Sequence, residues 1–254
     1  MNQSIQKAIV LLRQTATHPN GVSVSVLARD AGIPRATALR LIQTMESEGL
    51  LIRVPERDRV LLGPELVRLA RQVDMATILS ELASVHVGAL AHAVTETVTL
   101  SVLAQDGDLD VVQQISGPQH LVPRSWLGRR FPPHASSSGK LLLATSDNAQ
   151  LDQLLPRPLP SLTPRTITNR RALNRELDQI RAQRYASTVD ELEEGLSGIS
   201  VGIYSTGNAL LGTINVSGLS QRFDRAAREH AVEHARDTAR KIQAALRTDH
   251  SKKR

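Results

Sequence analysis

Apolar and polar positions alternate with a helical period through most of the N-terminal quarter of the chain. Residues 4–16 repeat apolar side chains at helical spacing behind Ser4, a suitable N-cap. The same pattern predicts a short helix over residues 25–32 and a longer helix over residues 34–49. Two short apolar strands follow within residues 50–63, on either side of a charged, proline-containing tip. Three helices and a hairpin in this order predict a winged helix-turn-helix.

The third predicted helix has two different faces. At 100° per residue its core-facing side comprises Pro34, Ala38, Leu41, Ile42 and Met45. The other side is rich in groups that read DNA in the major groove, where Arg pairs with guanine and Gln with adenine. Arginines on the hairpin suit a wing that contacts the DNA backbone or minor groove. We therefore expect DNA contacts from Arg35, Ala36, Thr37, Leu39, Arg40 and Gln43 on the helix and from Arg53, Arg57 and Arg59 on the wing. A small protein-interaction domain with solvated arginines is the alternative.

The remainder of the chain mixes helices with hairpins. Residues 64–74 carry apolar side chains at a/d-like spacing but are too few to form a stable helix alone, so we expect this helix to pair with a partner. A further helix is predicted over residues 78–93, and a long basic one over 223–248. Residues 97–115 and 198–218 each indicate two strands joined by a turn. Hairpins with segregated helices predict an α+β domain with an antiparallel sheet.

Composition narrows the class of protein. Of the 254 residues 41% are hydrophobic and none is cysteine, which supports packed cores and excludes disulfides, thiolate metal sites and a cysteine nucleophile. No signal peptide is evident, and no apolar stretch approaches the roughly 18 residues that span a bilayer. We therefore expect a cytoplasmic protein without a membrane partner. Aromatic residues make up only 2%, too few for a platform that stacks single-stranded nucleic acid.

Positive charge is concentrated at the two ends of the chain. The net charge of +6 divides into +3 over residues 1–75, −2 over residues 76–239 and +5 over residues 240–254. A basic N-terminal domain suits DNA phosphates. Residues 249–254 are expected to form a solvated basic tail.

The segment "HASSSGKLLLA", residues 134–144, resembles the start of a phosphate-binding loop. A nucleotide P-loop also needs a glycine five positions before Gly139 and a hydroxyl residue after Lys140, where this chain has His134 and Leu141. What remains is a helix start with hydroxyls and free N–H groups, which attracts a carboxylate or phosphate. The alternative is that the serines only cap the helix and that Lys140 is solvated.

Other motifs give no support for catalysis. "HAVEH", residues 230–234, matches one zinc-protease pattern, but no glutamate follows position 234 as a further ligand, and no Gly-x-Ser-x-Gly elbow occurs. The acidic run 190–194 lacks calcium-loop spacing and is typical of a solvated turn. We predict no catalytic residue, no metal site and no cofactor. The alternative function is that of an enzyme, a hydrolase or transferase that carries a regulatory helix-turn-helix.

The chain resembles the IclR family of bacterial transcriptional regulators in several motifs that occur in the same order. They include "VSVLARDAGIPRATALRLIQTMESEGLL", "LGRRFPPHASSSGKLLLA", "VDELEEGLSGIS" and "INVSGLSQRF" and extend over about residues 4–240. The resemblance implies a winged helix-turn-helix over residues 1–63, a linker helix over 64–76 and a GAF-like effector-binding domain over 77–248. It also implies dimers through the N-terminal domain and often tetramers through the other domain.

The resemblance further implies a pocket for a small organic acid, aliphatic or aromatic. Carried over by motif, its residues are Phe131, Ser137, Ser138, Thr188, Gly198, Asn215 and Ser217. Asn215 stands where family members often have Ser, and Gly198 replaces a bulkier polar residue of some members, which enlarges the pocket. The expected function is a ligand-responsive regulator of operator DNA, more often a repressor, in which the acid biases the spacing of the paired N-terminal domains.

Overall fold

A computed structural model of the chain describes residues 2–54, 57–119 and 124–247. Its contacts divide the chain into two compact units, residues 1–74 and 75–254. The helices are α1 (Gln3–Ala16), α2 (Val24–Asp30), α3 (Arg35–Ser47), α4 (Glu65–Ala70), α5 (Met75–Val94), α6 (Ser137–Thr145), α7 (Asn148–Leu154), α8 (Arg170–Gln183) and α9 (Arg225–Leu246). The strands are β1 (Leu51–Val54), β2 (Arg59–Leu62), β3 (Thr97–Leu103), β4 (Leu109–Ile115), β5 (Tyr185–Val189), β6 (Leu196–Tyr204) and β7 (Leu210–Leu219).

The N-terminal unit has the predicted winged helix-turn-helix arrangement. Helices α1, α2 and α3 enclose one apolar core, which β1 and β2 complete as an antiparallel hairpin. Ser23 caps α2 by accepting a hydrogen bond from the backbone N–H of Val26. The predicted charged tip of the hairpin, at Pro55 and Glu56, lies outside the described residues, as does the predicted basic tail at 249–254.

The predicted linker helix is shorter than residues 64–76. Helix α4 ends at Ala70, so Val73 lies beyond it, and α5 begins at Met75 rather than at Ile78. None of the residues of α4 is buried. A six-residue helix has few backbone hydrogen bonds to offset the entropy of ordering it, and without a buried side it does not extend. The predicted boundaries of the two domains stay a prediction.

Helix α5 corrects the expectation that no apolar stretch approaches membrane-spanning length. Among the described residues it is the one helix that is long and apolar enough by that measure, with 20 residues and a mean hydropathy of 1.3. Its buried side, from Leu79 to Val94, packs into the core of the second unit. Length and composition alone do not distinguish the core helix of a globular domain from a membrane helix.

The second unit is built on a five-stranded antiparallel sheet in the order β4-β3-β7-β6-β5. Its apolar face packs against α5 and α9 to form the main core. Helix α6 packs against the other face, and α8 packs against α6 and β5. This architecture confirms the predicted α+β class with an antiparallel sheet.

The three central strands place side chains of opposite character on the two faces of the sheet. Along β3, Val98, Leu100 and Val102 face the apolar core, and the alternate positions are Thr97, Thr99 and Ser101. Strands β6 and β7 repeat this alternation, with Ser200, Thr213 and Asn215 among the polar residues. Residues alternate between faces with a period of two, so the hydroxyl groups share one face. Because α6 covers that face, these polar side chains are buried.

Candidate functional sites

Helix α3 presents most of the predicted DNA-reading residues to solvent. Arg35, Ala36, Arg40 and Gln43 are exposed and Thr37 is half-buried. Arg35 Nε also donates a hydrogen bond to Ser25 Oγ at 3.1 Å, which ties the start of α3 to α2.

Two residues of the predicted third helix depart from the predicted faces. Leu39 is half-buried and packs against the core of this unit, because a large apolar side chain at the edge of the polar face gains by turning inward. Pro34 was placed on the core side but is exposed, since it is the N-cap and precedes the first helical turn.

The wing arginines differ in how free they are. Arg57 is exposed at the turn of the hairpin. Arg59 Nη1 donates to the backbone oxygen of Asn20 at 2.7 Å, and Arg53 Nε lies 3.8 Å from Glu46 Oε2. Arg57 is therefore the wing side chain with the greatest freedom to reach a ligand.

A cavity lies between the hydroxyl face of the sheet and the start of α6 in the second unit. It holds about 460 Å³ of space between atoms, part of it open to solvent. The structure brings all seven residues of the predicted pocket around it: Phe131, Ser137, Ser138, Thr188, Gly198, Asn215 and Ser217. The lining that sequence reasoning missed comprises Thr97, Thr99, Gln114, Arg124, Trp126, Ser136, Leu192, Leu196 and Ser197. Their shared location does not test their predicted role in binding.

The serine hydroxyls at the start of α6 are bonded to the sheet rather than left free. Ser137 Oγ donates to Asn215 Oδ1 at 2.8 Å and lies 2.9 Å from Ser200 Oγ. Ser138 Oγ lies 2.9 Å from Ser200 Oγ and accepts from Thr213 Oγ1 at 3.2 Å. These hydroxyls were expected to be available to an anion. They instead fasten α6 to the strands, because buried polar groups must find partners.

Other groups of the cavity do remain available for a ligand. Thr97 Oγ1 is buried and has no hydrogen-bond partner among the described residues. The backbone N–H groups of Ser137 and Ser138 occupy the first two positions of α6, where a helix offers them no acceptor. Ser136 caps the helix by accepting from the N–H of Gly139 at 3.1 Å. Hydrogen-bond donors and the positive end of the helix dipole thus face one cavity.

The outer end of the cavity is aromatic and charged. The rings of Trp126 and Phe131 lie 4.6 Å apart between centroids. The guanidinium of Arg124 lies 4.4 Å from the centre of the Trp126 ring, and Arg124 Nε lies 2.6 Å from Glu193 Oε1. Both charged side chains are partly exposed, whereas Trp126 is buried.

Lys140 is fully buried, contrary to the alternative that it is solvated. Its Nζ lies 2.7 Å from Glu176 Oε1 and 2.6 Å from Glu191 Oε2. Burial raises the pKa of Glu191, and this outweighs the nearby ammonium of Lys140, which lowers it. The acidic run is therefore not merely a solvated turn, because Glu191 is anchored inside and Asp190 accepts a hydrogen bond from Ser220.

The missed residues carried a partial signal in the sequence. Thr97 and Thr99 alternate with the apolar residues of β3, which places them on one face, but only the strand order reveals that this face meets α6. Trp126 is the chain's only tryptophan, and Arg124 stands two positions before it. Neither position has a spacing motif that predicts a pocket.

The described residues contain no group of three or more His, Asp or Glu side chains that would hold a metal ion. His230 and His234 stack with ring centroids 4.1 Å apart on α9, where no such third ligand joins them.

The fold and the two sites define a transcriptional regulator with a DNA-binding helix-turn-helix and a separate ligand-binding domain. A family model described as the IclR helix-turn-helix domain matches residues 4–55. Another, described as bacterial transcriptional regulator IclR C-terminal, matches residues 70–244. The chain belongs to the IclR family. Members of this family are regulators of transcription. Membership therefore confirms that this chain is a DNA-binding, ligand-responsive regulator and not an enzyme.

Relatives and solved structures extend along nearly the whole chain. The chain is 35% identical to the HTH-type transcriptional regulator Rv1719 of Mycobacterium tuberculosis over 87% of this chain and 84% of that protein. It is 32% identical to the regulator TtgV of Pseudomonas putida over 76% and 73%. A solved IclR homolog from Microbacterium hydrocarbonoxydans, complexed with 4-hydroxybenzoate, is 28% identical with a TM-score of 0.63, covering 97% of this chain and 100% of that one.

Proposed function

We propose that this chain is a cytoplasmic repressor that a small organic acid releases from its operator. The observation that carries the acid is Thr97 Oγ1, a buried hydroxyl without a partner that lines the same cavity as the free N–H groups of α6. A carboxylate accepts hydrogen bonds from both kinds of donor and is favoured by the helix dipole. The related protein that binds 4-hydroxybenzoate supports an acid with an aromatic body.

The rest of the cavity suits the apolar body of such an acid. Trp126, Phe131, Leu192 and Leu196 line it beside the polar groups. Pockets for small ligands combine apolar walls with a few polar groups that fix orientation. We place the carboxylate at the start of α6 and the apolar body against the aromatic pair. The seven residues predicted from the resemblance, with Thr97 added, form the proposed pocket.

Replacing Thr97 with valine should weaken acid binding by about tenfold or more, because a hydrogen bond to a charged group is worth about 1.5–3 kcal/mol. Thr97→Ser, which keeps the hydroxyl, should bind as the unchanged protein does. Benzoate and 4-hydroxybenzoate are the probes, and fluorescence of Trp126, the chain's single tryptophan, reports their binding. Ser101→Ala is the matched control, since Ser101 Oγ is also buried without a partner on β3 but does not line the cavity. Unchanged affinity of Thr97→Val would contradict the proposed pocket.

The proposed DNA-reading set is the exposed face of α3 together with the wing. The regulator would act as a dimer on a pseudo-palindromic operator, and it exposes apolar side chains that suit pairing of copies: Ile5, Ile9, Val67, Leu69 and Val73. The proposal also includes assembly into dimers or tetramers, repression rather than activation of transcription, and the predicted domain boundaries. A reporter gene behind the operator tests whether the regulator represses or activates, because deleting the gene of a repressor raises expression of the reporter.

Arg40→Ala should weaken binding to the operator by about 1–3 kcal/mol if Arg40 reads a base. Arg40 is exposed on α3 and its side chain forms no ion pair among the described residues. Gel-shift titration on the operator and on unrelated DNA measures the change. Arg240→Ala removes the same charge from an exposed position on α9 and should leave operator affinity unchanged. Equal losses on both DNAs would place Arg40 on a phosphate rather than on a base.

A further inference from the structure

Arg124 and Glu193 form an ion pair at the outer end of the proposed pocket. Arg124 belongs to the segment before α6, and Glu193 to the acidic loop between β5 and β6. Their closest atoms, Nε and Oε1, are 2.6 Å apart, and about half of the Arg124 side chain is exposed. The pair lies at the rim, since Thr97 and Ser137 at the other end are almost completely buried.

The two ends of the cavity therefore differ in what they offer an anion. The inner end presents the Thr97 hydroxyl, which has no partner among the described residues, and the N–H groups at the start of α6. The rim presents a cation whose guanidinium already has a carboxylate partner and whose face covers Trp126. A second anionic group on a ligand would meet the remaining guanidinium N–H groups of Arg124 with the Glu193 carboxylate close beside it.

We propose that the Arg124–Glu193 pair sets the charge selectivity of the pocket, so that it accepts acids with a single carboxylate and rejects those with a second anionic group at the far end. This inference rests on the proposed function. A second carboxylate brought to the same guanidinium lies close to Glu193, and like charges at short range repel. Discrimination of this kind comes from placing a like charge against the wrong ligand.

Removing the charge of Glu193 should weaken the discrimination against diacids. The probes are two matched pairs, benzoate with terephthalate and hexanoate with adipate, titrated by calorimetry against the full chain. The unchanged protein should bind each monoacid more tightly than its diacid. Glu193→Gln should tighten diacid binding by about tenfold, because it removes the like charge beside the second carboxylate, and should change monoacid binding little. Glu194→Gln is the matched control, because Glu194 is exposed and it is Glu193, not Glu194, that pairs with Arg124.

The reverse variant completes the test. Arg124→Gln leaves Glu193 unpaired at the rim, so diacid binding should weaken further. Arg129 is an exposed neighbour outside the cavity, so Arg129→Gln should change the binding of neither monoacids nor diacids. Equal effects of Glu193→Gln on monoacids and diacids would overturn the inference. A diacid preference of the unchanged protein that Arg124→Gln abolishes would also overturn it.

The same titrations separate failure of this inference from failure of the proposed function. If monoacid binding depends on Thr97 but Glu193→Gln does not change the preference for monoacids over diacids, the proposed function stands and the role of the ion pair is overturned. Absence of binding by all four acids overturns the organic-acid proposal and the inference with it.

Discussion

Lys140→Met should lower the free energy of unfolding of the second unit by about 3–5 kcal/mol, because it leaves the buried Glu191 and the half-buried Glu176 without their cation. Lys140 is completely buried, and its ammonium contacts Glu176 and Glu191 at 2.7 and 2.6 Å. These contacts join α6 to α8 and to the acidic loop that carries Leu192 into the cavity. Loss of the ammonium should also loosen this loop and weaken acid binding.

Urea unfolding followed by Trp126 fluorescence measures this change in the second unit, since the chain's only tryptophan lies there. Lys241→Met is the matched control. Lys241 Nζ lies 2.7 Å from Asp237 Oδ2, but both side chains are about half exposed, and such pairs contribute about 0–1 kcal/mol. Adding Glu191→Gln to Lys140→Met should recover part of the loss, because it removes the charge of the more deeply buried carboxylate. Similar unfolding free energies for Lys140→Met and Lys241→Met would mean that the buried cluster does not stabilise this unit.

The contrast between these lysines shows why the sequence predicted some features and not others. A helix, a hairpin or an N-cap depends on residues close together in the chain, and the period of apolar residues was enough to predict α1, α3 and the hairpins of the sheet. The Lys140 cluster instead joins residues 36 and 51 positions apart. A lysine at the start of a helix is usually solvated, and only the packing of α6 between the sheet and α8 changes that expectation here.

The candidate pocket likewise combines residues that sequence motifs predict with residues that only the packing reveals. The resemblance supplied seven residues that the structure places around one cavity, because each lies in a motif that the family shares. Thr97 and Arg124 lie in no such motif, and Glu193 lies in one, "VDELEEGLSGIS", but was not among the predicted pocket residues. Their significance depends on distances between atoms: a hydroxyl without a partner, and a guanidinium with one. The proposed selectivity of the pocket thus rests on features that only the structure reveals.

Gly139→Ala should destabilise the second unit by about 3 kcal/mol, although alanine is favoured over glycine inside a helix by about 1 kcal/mol. A Cβ at Gly139 would lie 2.4 Å from the Cα of Pro133 and 2.6 Å from its carbonyl oxygen, which are backbone atoms that cannot turn away. Relief of this overlap would move the start of α6 away from the segment that carries Phe131, so acid binding should weaken as well.

Gly88→Ala is the matched substitution in α5, where the nearest atom to a new Cβ is Ile115 Cδ1 at 3.8 Å, an ordinary contact. Without a clash the helix preference of alanine decides, and this variant should be more stable by about 0.5–1 kcal/mol. Urea unfolding compares the two variants under identical conditions. The two substitutions should change the free energy of unfolding in opposite directions. Gly139 is required by a close approach of two backbone segments, whereas Gly88 only lowers the stability of its helix. If both substitutions stabilised the unit, the tight contact between α6 and Pro133 would not be a constraint on Gly139.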